Sequence, residues 1–314
     1  MASFSMILAN GKCLTGSNHF PMRPPPSRVA ALPLIVAVHG GTYTSDYFDA
    51  DADHTLRYMS QALAVPVVAI DRPGYGGTSP LPPIPTESSF IQEQGIYLHK
   101  YILPFLWKTH ASNLGVSSIV LYGHSIGAAV AVITSSLHAR DGDLPPYPLS
   151  GMSISGVGSN VKTLPMEEFH KDPRELIGIS IRIPSDQKDI LMLGAAKLHS
   201  PSILKQTERL QHDVSLEELY DINVLWRSYW RTFAASVKVP VLYTLGELDE
   251  LWNKSDQDVE DFAKGFVNAP PVEARRLLSA PHCIEHSLQC TGLTLRTFGF
   301  AIECAVHHQL VLIR

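Results

Sequence analysis

The sequence has few cysteines and no long apolar run, and each shortage argues against a class of protein. Four cysteines at irregular spacing among 314 residues do not resemble the framework of a disulfide-rich secreted domain. No apolar stretch approaches the ~18 residues that span a bilayer, and the first residues lack the basic start and long apolar centre of a secretory signal. We therefore expect a cytoplasmic protein with free thiols and no membrane partner.

The chain also lacks a large excess of positive or negative charge. The 25 basic and 30 acidic residues give a net charge of −5, and no basic stripe of the kind that binds nucleic acid is present. Apolar residues make up 45% of the chain and charged residues 18%, which is typical of a globular protein with a substantial core. We expect a small-molecule substrate and no nucleic-acid partner, and the sequence indicates no oligomeric state.

Short apolar runs alternate with longer segments of helical period, which is typical of α/β proteins with a mostly parallel sheet. We predict strands at 34–38, 65–70, 119–122, 151–157, 239–245 and 274–278. The pair Asn10-Gly11 predicts a hairpin before them, and the proline run at 24–26 predicts a stiff extended connector.

One long segment interrupts this alternation. Roughly 80 residues between the fourth and fifth of these strands have helical periodicity and no obvious strand, which is far more than a crossover needs. We predict a core built from residues 1–160 and 239–314, and an inserted helical cap, or lid, at 161–238.

The most informative motif is Gly123-His-Ser125-Ile-Gly127, which directly follows a predicted strand and precedes a helical stretch of small residues. A G-x-S-x-G in this context holds a serine on a strained strand-to-helix turn with its Oγ exposed. The glycines relieve crowding of the backbone in such a turn. The motif alone also fits a plain glycine-rich turn, but the context favours Ser125 as a nucleophile.

A serine nucleophile needs an imidazole to accept its proton and a carboxylate to orient that imidazole. Our candidate acid is Asp249, at the end of a predicted strand, with Glu247 and Glu250 as alternatives. An isolated aspartate in a loop can also simply form a turn. Our candidate base is His282, in the turn after the last predicted strand, with His286 as the alternative.

The same segment, residues 282–286, matches H-x-x-E-H, the zinc-binding pattern of inverted zincin peptidases. Pro281 favours a turn at His282, a third ligand would have to come from the last part of the chain, and a zinc site would leave the serine motif unexplained. We therefore predict no metal and no cofactor.

Backbone amides must stabilise the oxyanion that forms when a serine attacks a carbonyl. We predict that the N–H of Ile126 provides one donor, and that the N–H of Gly41 or Thr42 provides the other. Gly41 and Thr42 follow the first predicted parallel strand, where a plain glycine turn is the alternative. His124, beside the nucleophile, is expected to pack or orient the turn and not to act as a base.

Two further segments have less specific patterns. Residues 71–79, Asp-Arg-Pro-Gly-Tyr-Gly-Gly-Thr-Ser, lack the lysine of a phosphate-binding loop, so we predict a structural role. Within the cap, a stripe at helical spacing either packs the cap onto the core or lines an apolar substrate pocket, and the two are compatible. Its members are Leu219, Ile222, Trp226, Tyr229, Trp230 and Phe233, of which Trp226, Tyr229 and Trp230 are our candidate substrate-binding residues.

In their order along the chain, the motifs at 39–41, 71–79, 123–127, 246–249 and 281–282 resemble the α/β-hydrolase superfamily. The resemblance covers about residues 34–286 and implies an eight-stranded, mostly parallel sheet, a helical cap, and a triad of Ser125, Asp249 and His282. More weakly, residues 281–286 and the cap length are similar to hydrolases of fungal toxin and polyketide gene clusters. Ala280-Pro281 stands where that superfamily usually has a glycine before the histidine.

These residues predict a serine hydrolase that cleaves an ester, thioester or lactone of a moderately large apolar molecule through an acyl-enzyme on Ser125. The alternative is a protein of the same fold that does not hydrolyse, such as an acyl transferase, a cyclase, a C–C bond lyase or a ligand receptor in secondary metabolism.

Overall fold

The architecture is an eight-stranded sheet in a computed structural model that describes residues 1–22, 31–142, 145–162 and 173–312. Its strands are β1 (Ala2–Ile7), β2 (Cys13–His19), β3 (Pro33–Val38), β4 (Val67–Ile70), β5 (Ser118–His124), β6 (Leu149–Ser155), β9 (Val241–Gly246) and β10 (Val272–Leu277); β7 (Ser180–Ile181) and β8 (Val214–Ser215) form a separate pair. The strand order is β1-β2-β4-β3-β5-β6-β9-β10. β2 pairs antiparallel with β1 and β4, and all other neighbours are parallel.

Helices cover both faces of this sheet. They are α1 (Arg57–Leu63), α2 (Phe90–Tyr97), α3 (Leu103–Leu114), α4 (Ile126–Arg140), α5 (Ser185–Leu193), α6 (Pro201–Leu204), α7 (Leu216–Tyr220), α8 (Trp226–Ala234), α9 (Asp256–Ala263) and α10 (Cys290–Leu312). α4, with α2 and α8 against it, and α10, with α1 against it, pack on the same central strands from opposite sides.

The central strands β3, β5 and β6 are buried along their whole length, which explains why they consist of nearly continuous apolar or small residues. The predicted fold class is confirmed, since the hairpin and all six predicted strands are present with small shifts at their ends. The proline run at 24–26 lies outside the described residues. None of the helices in the described part of the chain combines the length and apolar character that a bilayer span requires.

The segment predicted as a cap lies between β6 and β9. Its described residues contribute four α-helices, α5 to α8, and no strand of the main sheet. The pair β7–β8 was not expected, because strands of two residues leave no periodicity to read in a sequence. Residues 163–172, within the predicted cap, lie outside the described residues.

A π-helical turn, Asp221–Leu225, joins α7 to α8 and holds a buried carboxyl group. Asp221 Oδ2 accepts a hydrogen bond of 2.7 Å from the amide of Ile91 in α2, and Oδ1 accepts one of 2.7 Å from the hydroxyl of Tyr229. Burial raises the pKa of Asp221 from 3.8 to about 6. This carboxyl group therefore joins the inserted segment to the core.

The stability of the folded chain should depend on pH through Asp221. Because its pKa rises from 3.8 to about 6 on folding, the folded chain binds this proton more tightly, and the resulting stabilisation is present below pH ~4 and is lost as the pH rises through ~6. We expect the free energy of unfolding of the wild type, relative to Asp221→Asn, to fall by up to about 3 kcal/mol across this window. Urea unfolding at several pH values measures it. Asp213→Asn, which removes an exposed carboxylate of the same segment, serves as control. If the free energy of unfolding changed equally with pH in the wild type and in Asp221→Asn, the assignment to Asp221 would be wrong.

Candidate active site

Three distant side chains meet at the carboxyl end of the parallel strands. Ser125 lies between β5 and α4, and its Oγ is 3.0 Å from His282 Nε2. On the other side of the imidazole ring, Nδ1 lies 2.8 Å from Asp249 Oδ2. His282 and Asp249 are both buried, so the hydrogen bond between carboxylate and imidazole is shielded from water, whereas Ser125 is half-buried. The structure thus brings together the three residues that the sequence analysis selected.

The turn that carries Ser125 has strained backbone geometry. Ser125 has φ 54° and ψ −123°, which a residue with a side chain rarely adopts. A Cβ atom on Gly127 would lie 2.1 Å from the carbonyl oxygen of Val38, and one on Gly123 would lie 2.6 Å from that of Gly127. Glycine is therefore required at both positions, because a side chain at 127 would strike the end of β3 and one at 123 would strike the start of α4.

Asp249 lies in the loop after β9, where the backbone fixes its orientation. Its Oδ1 accepts hydrogen bonds from the amides of Leu251, at 2.8 Å, and Trp252, at 3.2 Å, which leaves Oδ2 for His282. The alternative acids have other partners. Glu247 accepts from the amide of Ser279 at 2.8 Å, and Glu250 pairs with Lys162 and Lys254.

The alternative base, His286, does not face the serine. Its Nε2 lies 2.8 Å from the carbonyl oxygen of Tyr47, and burial lowers its pKa to about 3. Glu285, the acid of the H-x-x-E-H pattern, accepts hydrogen bonds from the hydroxyls of Tyr47, Tyr122 and Ser155 at 2.6–2.7 Å. In the described ranges, no three His, Cys, Asp or Glu side chains are arranged to hold a metal ion.

His124, the residue before the nucleophile, is packed beneath the site. Its Nδ1 lies 3.1 Å from Ser155 Oγ, and its ring stacks on Tyr47 with centroids 4.7 Å apart. Burial holds the pKa of His124 well below its usual value, so its ring is neutral. The centroid of its ring also lies 5.0 Å from that of His282, so the two imidazoles pack against each other.

The predicted oxyanion donors lie beside Ser125. Gly41, Thr42 and Ile126 line the same cavity as Ser125, and no acceptor among the described residues pairs with the amide of Gly41 or Ile126. Ile126 is the first residue of α4, where amides have no partner within the helix. Gly41 and Thr42 both lie at this cavity and stay the two predicted alternatives for the second donor.

The cavity at Ser125 has a volume of about 60 Å³. Its walls are apolar apart from Thr42, Ser125 and Asn223. The inserted segment supplies one side of it, with Ile183, Leu191, Met192, Leu219, Ile222 and Asn223. The cavity is therefore shaped to hold an apolar group against the serine.

The three aromatic residues predicted to bind substrate do not line this cavity. Trp226 donates from Nε1 to the carbonyl oxygen of Gly158 at 2.8 Å, and Trp230 stacks on Phe262 with centroids 4.8 Å apart. Tyr229 donates to the buried Asp221. The sequence analysis gave two uses for the stripe, and these contacts agree with packing of the inserted segment onto the core.

Two other members of the stripe, Leu219 and Ile222, do line the cavity, although neither was selected for it. Their helical spacing within the stripe was the signal in the sequence that could have identified them as lining residues. Leu191, Met192 and Asn223 also line the cavity, and no motif or periodicity in the sequence marks them.

Comparison with known proteins gives one family and many similar folds. The family model described as "Alpha/beta hydrolase family" matches residues 35–287. No curated protein matches the chain.

A thermophilic esterase from Thermogutta terrifontis is 13% identical, with a TM-score of 0.58 over 97% of this chain and 100% of that one. A lipase-esterase related protein from Clostridium acetobutylicum is 13% identical, with a TM-score of 0.61 over 94% and 100%. A monoacylglycerol lipase from Paleococcus ferrophilus is 16% identical, with a TM-score of 0.60 over 87% and 96%.

Proposed function

Because the chain belongs to the alpha/beta hydrolase family, we propose that it is a serine hydrolase that cleaves an ester, thioester or lactone of an apolar small molecule. The observation that carries this proposal is the hydrogen-bonded chain from Asp249 through His282 to Ser125, with spacings of 2.8 and 3.0 Å. A serine hydroxyl so placed can lose its proton to the imidazole as it attacks a carbonyl.

The reaction follows from this geometry. Ser125 Oγ attacks the carbonyl carbon, His282 Nε2 takes the hydroxyl proton, and Asp249 stabilises the imidazolium that results. The amides of Gly41 and Ile126 donate to the oxyanion of the tetrahedral intermediate. His282 then protonates the leaving group, an acyl-enzyme forms on Ser125, and water activated by His282 releases the acid.

We also propose that residues 161–238 act as a cap and that the acyl group occupies the cavity beside Ser125. By the space that one water molecule needs, a cavity of about 60 Å³ holds about four waters, or a short apolar chain. A moderately large substrate, as predicted from the sequence, therefore requires displacement of the side chains that the cap contributes, Met192 and Leu219 among them.

A covalent probe tests the proposed function. A fluorophosphonate carrying a short alkyl chain should react with Ser125, because the probe mimics the tetrahedral intermediate and needs an activated serine. Peptide mass spectrometry should place the adduct on Ser125 and on no other serine, with p-nitrophenyl butyrate hydrolysed in parallel. An unlabelled Ser125 would contradict the proposal. Labelling without hydrolysis of esters or thioesters would favour the non-hydrolytic alternative.

A further inference from the structure

A buried arginine holds the backbone of the proposed oxyanion loop, residues 39–42. Arg72 follows β4 and is 1% exposed. Its Nε donates to the carbonyl oxygen of His39 at 2.8 Å, and its Nη2 donates to that of Gly40 at 3.1 Å. One guanidinium group thus binds two successive carbonyls, directly before the amide of Gly41.

The ring of His39 adds a second donor to the carbonyl of Gly40. The amide of Arg72 lies 3.1 Å from His39 Nε2 and donates to it, so the ring proton resides on Nδ1. Nδ1 lies 2.7 Å from the carbonyl oxygen of Gly40 and donates to it. Burial, reinforced by the charge of Arg72, holds the pKa of His39 well below its usual value, which keeps this neutral tautomer. The carbonyl of Gly40 therefore accepts two hydrogen bonds.

The carbonyl of Gly40 and the N–H of Gly41 belong to one planar trans peptide unit, in which they point in opposite directions. Fixing the carbonyl therefore fixes the direction of the N–H. A positive charge on the carbonyl side also polarises the peptide and strengthens the hydrogen bond that its N–H donates.

The inserted segment completes this arrangement. Glu218 in α7 is fully buried, pairs with Arg72 Nη1, and accepts a hydrogen bond of 2.5 Å from the hydroxyl of Tyr75. Gln94 Oε1 accepts from the same Nη1 at 2.5 Å. Burying an ion pair costs the hydration free energy of both charged groups. Removing one group therefore leaves the other charge buried without a partner. The position of Arg72 therefore depends on the cap residue Glu218.

We propose that Arg72, held by Glu218, is a positioning residue that orients and polarises the Gly40–Gly41 peptide as a donor to the oxyanion. The inference rests on the proposed serine hydrolase function. It makes the inserted segment part of the catalytic apparatus, since a cap residue determines how strongly the oxyanion is bound.

A second buried cation provides a matched control. Lys188 in α5 donates from Nζ to the carbonyl oxygens of Thr42, at 3.1 Å, and Leu210, at 3.3 Å. Lys188 thus links the cap to the same loop, but through the peptide between Thr42 and Tyr43, whose N–H is not a proposed donor. Lys188→Met removes a buried cation without touching the Gly40–Gly41 peptide.

The test compares Glu218→Gln, Arg72→Lys and Lys188→Met with the wild type on p-nitrophenyl butyrate. Glutamine keeps the shape of Glu218 without its charge, and lysine cannot bind two carbonyls in the fork geometry of arginine. We expect kcat to fall about ten- to a hundredfold in both Glu218→Gln and Arg72→Lys, with KM changed by less than about threefold, because the lost interaction acts on the transition state. Lys188→Met should retain a larger kcat than either variant.

A spectroscopic readout separates positioning from general damage to the fold. In a slowly hydrolysed acyl-enzyme, weaker hydrogen bonds to the acyl carbonyl should raise its infrared stretching frequency in Glu218→Gln and Arg72→Lys, and less in Lys188→Met. If Arg72→Lys does not fold, Glu218→Gln decides the question. An unchanged kcat and stretching frequency in a folded Glu218→Gln would overturn the inference while leaving the proposed function intact. A wild type without hydrolysis or fluorophosphonate labelling would instead overturn the proposed function.

Discussion

Ser125→Ala is expected to lower kcat for ester hydrolysis by about 10⁴-fold or more, because the variant has no nucleophile to form an acyl-enzyme. The hydroxyl oxygen lies 3.0 Å from the imidazole nitrogen that would accept its proton, and alanine leaves that nitrogen, Nε2 of His282, without a partner. The cavity and the oxyanion amides are unaffected, so substrate binding should change little. Steady-state kinetics on p-nitrophenyl butyrate and the loss of fluorophosphonate labelling measure the effect.

A serine in the helix that Ser125 precedes provides the control. Ser136 is fully buried in α4, and none of the described residues offers its hydroxyl a hydrogen-bond partner. Ser136→Ala should therefore retain wild-type kcat and labelling. If Ser125→Ala retained turnover comparable to that of Ser136→Ala, the covalent mechanism would be wrong.

The second large effect is expected for Asp249→Asn, with kcat lowered by about 10³- to 10⁴-fold. The hydrogen bonds that the loop makes to Asp249 explain this expected loss. Since the amides of Leu251 and Trp252 both donate to Oδ1, the oxygen of an asparagine would stay there and its NH₂ group would face His282. The NH₂ group would donate to Nδ1, the ring proton would move to Nε2, and the imidazole could no longer accept the proton of Ser125.

The two alternative acids provide matched comparisons for Asp249→Asn. Glu247→Gln and Glu250→Gln change carboxylates that pair with Arg276 and with Lys162 and Lys254, and neither contacts His282. We expect kcat within about twofold of wild type for both, since neither carboxylate contacts the imidazole that Asp249 orients. A loss in Glu250→Gln as large as that in Asp249→Asn would show that the acid had been assigned to the wrong residue.

The sequence predicted the sheet because β3, β5 and β6 are buried on both faces, and such strands are visible as continuous apolar runs. It selected Ser125, Asp249 and His282 because each follows a strand whose carboxyl end lies on one edge of the sheet. The sequence favoured His282 over His286 by its place in the turn, and in the structure only His282 of the two faces Ser125. The roles of the triad remain predictions that the variants test.

The aromatic stripe divides between the two uses that its periodicity allowed. One α-helical period from Leu219 to Phe233 puts all its members on one face, but the π-helical turn at Asp221–Leu225 changes the number of residues per turn in the middle. Leu219 and Ile222 therefore face the cavity, whereas Trp226 and Trp230 pack against the core. The pairing of Arg72 with Glu218 was out of reach, because nothing local relates residues so far apart in sequence.

The order of the strands along the chain determines when, during synthesis, Ser125, Asp249 and His282 can come together. Ser125 follows β5, whereas the proposed acid, Asp249, and the proposed base, His282, follow β9 and β10, the last two strands to be synthesised. A ribosome-bound chain that has formed the serine turn still has an inert hydroxyl, because long-range pairing of the final strands must come first. Under the proposed mechanism, Ser125 thus becomes reactive only when the whole domain has folded, and a truncated translation product would not react.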